Sequence, residues 1–366
     1  MGTGSNNWLA AGDPLRGIAA FGVLLFHVAV CAVIAGGDTI QAGTLGAAGR
    51  ILFNLDAGVF LFFLLSGYLI GRPFASAFVL QTPFPRVGRY LVRRMLRLGP
   101  GVLAATALAI VLFGRDFTDA TVHFWTLRAE AWFYVALPAV TALALPLSRP
   151  RAGRWARAAL WLGGCAVASL ASLWFRARGT PWDLAHQDAF PSVGFAFAPG
   201  LALAGVEPVV APVLRAAHGR TSLAAGLALL LAGAAAVAYV TVPRQEFMKH
   251  SVLAVAAATL LFGAVLLRDW AGRPPWRPLD NRPLQWLGER SYSLYLFHLP
   301  LVAKVARELG TSASASTRVV VVAAAAIPVS LGFAWVGYEL VERPFMRARK
   351  PSVPAELPVV PVGSTA

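Results

Sequence analysis

Long apolar runs alternate along this chain with short charged segments. The runs lie at about 14–35, 50–70, 98–113, 124–147, 158–176, 190–206, 222–242, 251–267, 286–306 and 318–340. A helix crossing a membrane needs ~20 predominantly apolar residues. The pattern therefore predicts an all-α protein of about ten transmembrane helices. The first run opens on a clear start signal, because Asp13 is a good N-cap and Pro14 suits the first helical position. The seventh run is rich in Ala and Gly, which suits close helix packing.

The charged segments set the orientation. Segment 71–97 carries Arg72, Arg86, Arg89, Arg93, Arg94 and Arg97, and segment 148–157 carries Arg149, Arg151, Arg154 and Arg157. Arg215 and Arg220, then Arg268, Arg273, Arg277 and Arg282, mark the next two segments on that side. The intervening loops are poor in Lys and Arg, and 36–49 and 308–317 have none. Repeated at each crossing, this asymmetry predicts that both termini are cytoplasmic. Beyond Arg347 the chain is rich in Pro and small residues. The expected division is a membrane-embedded unit over 1–346 and a disordered tail over 347–366.

Composition agrees with this picture. Of 366 residues, 57% are hydrophobic and 13% charged, about half the ~25% charged of a soluble domain. This describes a multi-pass protein of the inner or plasma membrane. A net charge of +15 would suggest nucleic acid in a soluble protein. Spread over loops between spans, it reads as topology and contact with anionic lipids, with no nucleic-acid partner. Cys31 and Cys165 both sit in apolar runs, so neither a disulfide framework nor a metal cage is expected. The N-terminus lacks the basic start and cleavage site of a signal peptide, so the first span is expected to stay in the mature protein.

Ionisable groups inside spans are the candidates for chemistry. Arg16 and His27 are eleven residues, or three turns, apart on one helix face, ~16 Å along the axis. His27 would lie deep in the apolar zone. The competing reading is a histidine that merely bonds a neighbouring helix. Glu130 follows Trp125 by five residues, and Trp125 fits an interfacial anchor. Arg128 is two positions from Glu130, on nearly the opposite face, and so is a poor partner for it. Asp56 opens the second run, which closes on Ser66-Gly67, where glycine permits close approach by a helix or a ligand. If helical, Arg89, Arg93 and Arg97 share a face. Such a guanidinium row suits phosphate recognition, with lipid headgroups and topology as the alternatives. The ninth run is unusually polar, with Ser291 and Tyr295 at i, i+4 and His298 beyond them. The loop from Trp182 to Asp188 contains His186 but offers no convincing further ligand, and reads as solvated. Counted from the expected membrane faces at ~1.5 Å per residue, His27, Glu130, His298 and Asp56 fall at one level. One shared cavity is expected, with His27 and Glu130 in contact or joined by one water.

Together these stretches resemble the integral-membrane acyltransferase 3 family, whose members modify sugars of surface polysaccharides or acylate macrolides. The likeness runs from Asp13 to Pro344. Its arginine-ten-residues-histidine motif is Arg16 and His27. Its Phe-Phe-x-Leu-Ser-Gly-aromatic motif is Phe62-Phe63-Leu64-Leu65-Ser66-Gly67-Tyr68. Its Arg-Arg-x-x-Arg motif is Arg93-Arg94 with Arg97. Its Trp-Ser-Leu-x-x-Glu-x-x-Phe-Tyr motif is Trp125-Thr126-Leu127 with Glu130 and Phe133-Tyr134. The late motifs run from Ser291 to His298 and over Glu342-Arg343-Pro344. There are departures: Ala131 stands where many members have a second acidic residue, and Phe60 where many have aspartate, for which Asp56 could substitute.

The resemblance implies transfer of an acyl group, acetyl before others, from acyl-CoA to a hydroxyl of a sugar, cell-envelope glycan or macrolide-type acceptor, with no metal. It assigns the donor to Arg16, Ser66, Arg89, Arg93, Arg94 and Arg97. It assigns the acceptor to Asp56, Trp125, Tyr134, Tyr295 and His298. His27 is the expected general base, with Glu130 orienting it or binding the acceptor, and an acyl-histidine intermediate is the variant. The rival reading is a transporter or flippase for a polar lipid or sugar, though no repeat and no matched pair of broken helices marks one. A structural subunit of a biosynthetic complex is a third reading.

Overall fold

The computed structural model describes residues 12–347 apart from 41–43, 150, 181–182, 217–219, 244–245, 274–275, 280 and 310–313. The expected tail, beyond residue 347, lies outside the described residues, as does Trp182. The described chain is all-α, with no strand. Ten long helices organise it: α1 Gly12–Ala35, α2 Gly58–Val79, α3 Val87–Phe113, α4 Trp125–Ala144, α5 Arg154–Arg176, α6 Phe190–Ala216, α7 Arg220–Thr241, α8 Phe247–Trp270, α9 Ser291–Leu309 and α10 Ala315–Gly337. Among the described residues, nine helical stretches are long and apolar enough to cross a membrane. The tenth long helix, α9, falls short because Lys304, Arg307 and Glu308 crowd its last two turns. Its first half is nevertheless buried almost without a break, from Ser293 to Val302.

Helix α1 lies at the centre, against α2, α9, α10 and a short helix, Arg282–Glu289. Leu15, Ala19, Ala20, Val23, Leu24 and Val28 are among its buried positions. Its last turn is closed by Arg318 of α10, whose Nε donates to the Ala32 carbonyl at 3.1 Å and whose guanidinium pairs with Asp38. A cation at the carbonyl end of a helix opposes its dipole and satisfies a carbonyl left without an intrahelical partner.

A close crossing joins α2 to α6. A Cβ on Gly67 would stand 2.2 Å from the Phe197 carbonyl oxygen, and one on Gly200 would stand 2.0 Å from that of Leu64. The close approach that Gly67 permits is thus taken by a helix. The aromatic stack of Phe63, Phe197 and Phe133, with centroids 4.5 and 4.4 Å apart, lies beside it. In contrast, α7 is peripheral. It packs on α8 with Ala225, Ala232 and Tyr239 buried, while Leu223, Leu227, Leu230 and Leu231 are exposed.

Three runs differ from the predicted bounds in ways that matter to the site. The basic segment before Gly99-Pro100 is not a separate element, because α3 continues through both residues from Val87 to Phe113. Proline's fixed φ fits the helix, so only its missing N–H and ring crowding disturb it. The second and ninth runs are each interrupted. Asn54 precedes a 3-10 turn over Leu55–Ala57 ahead of α2, and Arg290 separates the short helix Arg282–Glu289 from α9.

Candidate active site

Two polar clusters lie along α1. The first surrounds a cavity of about 300 Å³ lined by Arg16, Ser66, Arg94, Arg97, Glu130 and Tyr134, among others. Glu130 Oε1 accepts from the Ser66 hydroxyl at 2.9 Å and from the Tyr134 hydroxyl at 2.7 Å. Ser66 comes from α2, held by the α2–α6 crossing, while Tyr134 is one turn beyond Glu130 on α4. The Arg94 guanidinium lies over the ring of Tyr134, 5.7 Å from its centroid, and 5.5 Å from that of Tyr90. Arg72, another wall residue, pairs with Glu207 of α6 at 2.9 Å. A carboxylate facing several guanidinium groups beside an apolar wall can accept a polar ligand that also carries anionic groups.

The second cluster is built of histidines. His27 Nδ1 lies 3.1 Å from His298 Nε2 and 2.9 Å from the Val23 carbonyl oxygen. His298 Nδ1 lies 2.7 Å from the carbonyl oxygen of Tyr295 and 3.2 Å from that of Leu294. The ring of His123 stands 5.1 Å from that of His298 and 6.3 Å from that of His27. His298 and His123 are 1% and 3% exposed, whereas His27 is half-buried. Tyr295 joins the two clusters. Its hydroxyl is 2.6 Å from Thr126 Oγ1 and donates to the His123 carbonyl at 2.9 Å, and both Tyr295 and Thr126 line the first cavity.

The expected single level is therefore not what the helices build. His27 meets His298, but Glu130 bonds Ser66 and Tyr134, and no hydrogen bond joins it to His27. The depth count placed the start of α4 at the outer face. In fact His123, just before that start, is already buried against His298. Glu130, seven residues on, is thus displaced ~10 Å toward the Arg16 end.

Other expected site residues divide in the same way. Arg94 and Arg97 line the cavity, while Arg89 and Arg93 are exposed. The helix phase that turns Arg94 inward turns those two out. Asp56 sits on the turn before α2 and accepts from the Tyr239 hydroxyl at 3.1 Å, beside a bond between His250 and Asn54 at 2.8 Å. Trp125 is partly buried and packs edge-on against Phe63, 5.9 Å between centroids, at the edge of the core. His186, in the loop read as solvated, stacks on Phe175 and places Nε2 2.8 Å from the Phe175 carbonyl oxygen.

The sequence reading gave no role to His123, Thr126, Tyr292 or Glu207. His123 and Thr126 carried a signal as polar residues where an apolar run begins, and Tyr292 one as part of the late motif from Ser291 to His298. The two late motifs hold each other: Arg290 pairs with Glu339 at 3.3 Å, and Ser293 donates to Glu342, which sits in a π-helical turn over Tyr338–Glu342. Tyr292 ties α9 to α3 by donating to the Leu98 carbonyl at 2.7 Å.

A family profile described as an acyltransferase domain, acyltransferase 3, matches residues 11–339, nearly the whole chain. The chain belongs to that family and is a multi-pass membrane acyltransferase. No curated protein and no solved structure matches it.

Proposed function

We propose that this protein moves an acyl group, acetyl before others, from acyl-CoA to a hydroxyl of a sugar, cell-envelope glycan or macrolide-type acceptor. The observation that carries the reading is the arginine-lined cavity whose wall residue Tyr295 has its ring 5.7 Å from that of His298, the partner of His27. At about 300 Å³ the cavity is at the lower end of ligand pockets, which run ~300–1,000 Å³. It suits an acyl group and its thioester arm, with the donor's phosphates at the arginines of the mouth. Loop charge supports a cytoplasmic mouth and cytoplasmic termini. Donor contacts then fall to Arg16, Ser66, Arg94 and Arg97, with Glu130 and Tyr134 shaping the wall.

In the reaction, His27 takes the proton of the acceptor hydroxyl. The oxygen attacks the thioester carbonyl, a C–O bond forms and the C–S bond breaks. The departing thiolate takes the proton back from His27 and leaves as the free thiol.

The test is turnover. Purified protein in detergent, or cells expressing it, is given acyl-labelled acyl-CoA, and the acylated product is identified. Labelled product with release of free thiol is expected. Vectorial movement of a lipid or sugar without acyl transfer would overturn the reading in favour of a transporter.

A further inference from the structure

We infer that His298 is a positioning residue that fixes the tautomer and ring orientation of His27, so that His27 Nε2 is the nitrogen that takes the proton. This rests on the proposed acyl transfer and on His27 as its base.

The argument follows from counting protons. His298 Nδ1 faces two carbonyl oxygens, at 2.7 and 3.2 Å. A carbonyl only accepts, so that nitrogen carries the hydrogen. In neutral His298 the hydrogen on Nδ1 leaves Nε2 with a lone pair. His27 Nδ1 also faces a carbonyl, that of Val23, at 2.9 Å, so its hydrogen sits there too. The 3.1 Å contact between the rings is then a bond in which His27 Nδ1 donates to His298 Nε2, its hydrogen shared with Val23. Every nitrogen of the pair but one is assigned. The remaining one, His27 Nε2, has a lone pair and no hydrogen-bond partner among the described residues. His27 is also the only half-buried ring of the three, while His298 and His123 are closed off.

The consequence is catalytic. When His27 Nε2 takes the acceptor's proton, the ring becomes an imidazolium whose Nδ1–H already points at the lone pair of His298. That bond becomes charge-assisted and strengthens as charge develops. The role matches that of the orienting carboxylate in a Ser-His-Asp triad, with a neutral imidazole instead of an anion. His298 cannot contact an acceptor at the same time, because both of its nitrogens are engaged. The ring of His123, 5.1 Å away, walls the pair on its other side.

The experiment compares wild type, His27→Ala, His298→Leu and His298→Gln with labelled acyl-CoA. Gln is chosen because its amide oxygen can replace the Nε2 lone pair. His298→Leu is expected to lower kcat ~10–100-fold, the size of effect typical when an outer partner of a functional histidine is removed. The donor KM should stay within about twofold, and His298→Gln should regain much of the loss. A wild-type kcat in His298→Leu, or equal losses in Leu and Gln variants of unchanged thermal midpoint, would overturn the positioning role while leaving acyl transfer intact. If His27→Ala retains wild-type turnover, the reading of His27 as base falls instead. If His298→Leu does not fold, the His298→Gln comparison decides: full loss of kcat with a normal midpoint counts against the inference.

Discussion

Arg16 and His27 lie on one helix face, yet their surroundings have little in common. Arg16 opens on a cavity rich in formal charge, with Arg94, Arg97 and Glu130 around it. His27 meets two other imidazoles, the Val23 carbonyl oxygen and the ring of Phe26. Charged guanidinium groups suit recognition of an anionic donor, because they supply fixed bidentate donors to phosphate. A neutral imidazole with one lone pair unspent suits proton transfer. The three turns of helix between them, ~16 Å, are the length of an extended arm and not of a hydrogen bond. One end would hold the donor while its reactive end reaches the other.

The largest effect should come from breaking the histidine end. His27→Ala is expected to reduce turnover ~10²–10⁴-fold, the usual contribution of a general base, with donor binding nearly unchanged. Glu130→Gln removes the charge but keeps the shape, and the expected loss is smaller, with a shift in donor KM because Glu130 stands among the arginines. Steady-state kinetics on both variants separates these outcomes. If Glu130→Gln is inactive while His27→Ala still turns over, the proton transfer belongs to the arginine cavity, and the contrast between the clusters is drawn the wrong way round.

A smaller effect should distinguish residues within one helix. Arg94 and Arg97 line the cavity, whereas Arg89 and Arg93 are exposed on the same α3. Arg94→Ala and Arg97→Ala are expected to raise the donor KM ~10-fold each, consistent with ~1.5 kcal/mol or more for a charge-assisted bond. Lysine at either site should rescue only in part, because it lacks the fork. Arg89→Ala and Arg93→Ala should leave the donor KM within about twofold. Equal effects at all four positions would mean that the segment acts by diffuse charge at the membrane surface.

The legible part of the molecule follows from these contrasts. Apolar runs and loop charge reveal the helices because length and composition are local properties. The existence of α9 and the candidacy of Arg16, His27 and Glu130 were legible for the same reason, whereas the pairing of the late motifs, through Ser293 and Glu342, was not. Which groups meet was harder to read, because it depends on where a helix starts in depth. The residues before α4 turn inward through the short helical turns Gly114–Asp116, Phe117–Ala120 and Val122–Phe124. They bury His123 and carry Glu130 away from His27. No periodicity announces that shift. Likewise, the i, i+4 row from Arg89 to Arg97 is real on α3, but only the packing of α3 on α9 and α4 decides that Arg94 faces the cavity.

The smallest effect tests what holds the cavity in shape. Ser66 reaches Glu130 from the turn of α2 that crosses α6 at Gly67 and Gly200. A methyl on Gly67 would meet the Phe197 carbonyl oxygen at 2.2 Å, and backbone cannot move aside as a flexible side chain can. The helices must part. Gly67→Ala is therefore expected to cost ~1–3 kcal/mol of stability and to lower turnover by pulling Ser66 from the carboxylate. On α7 the prediction reverses. Its small residues do pack on α8, with Ala225 and Ala232 buried, but Gly226 faces away and a Cβ there would find nothing within 4 Å. Gly226→Ala should leave the thermal midpoint unchanged or raise it slightly, since Ala favours helix over Gly by up to ~1 kcal/mol. Thermal unfolding in detergent, read beside the rate of acyl transfer, checks both. A Gly67→Ala protein of wild-type midpoint and rate would remove the α2–α6 crossing from the support of the site, and the Ser66–Glu130 bond would then have to be held from α4 alone.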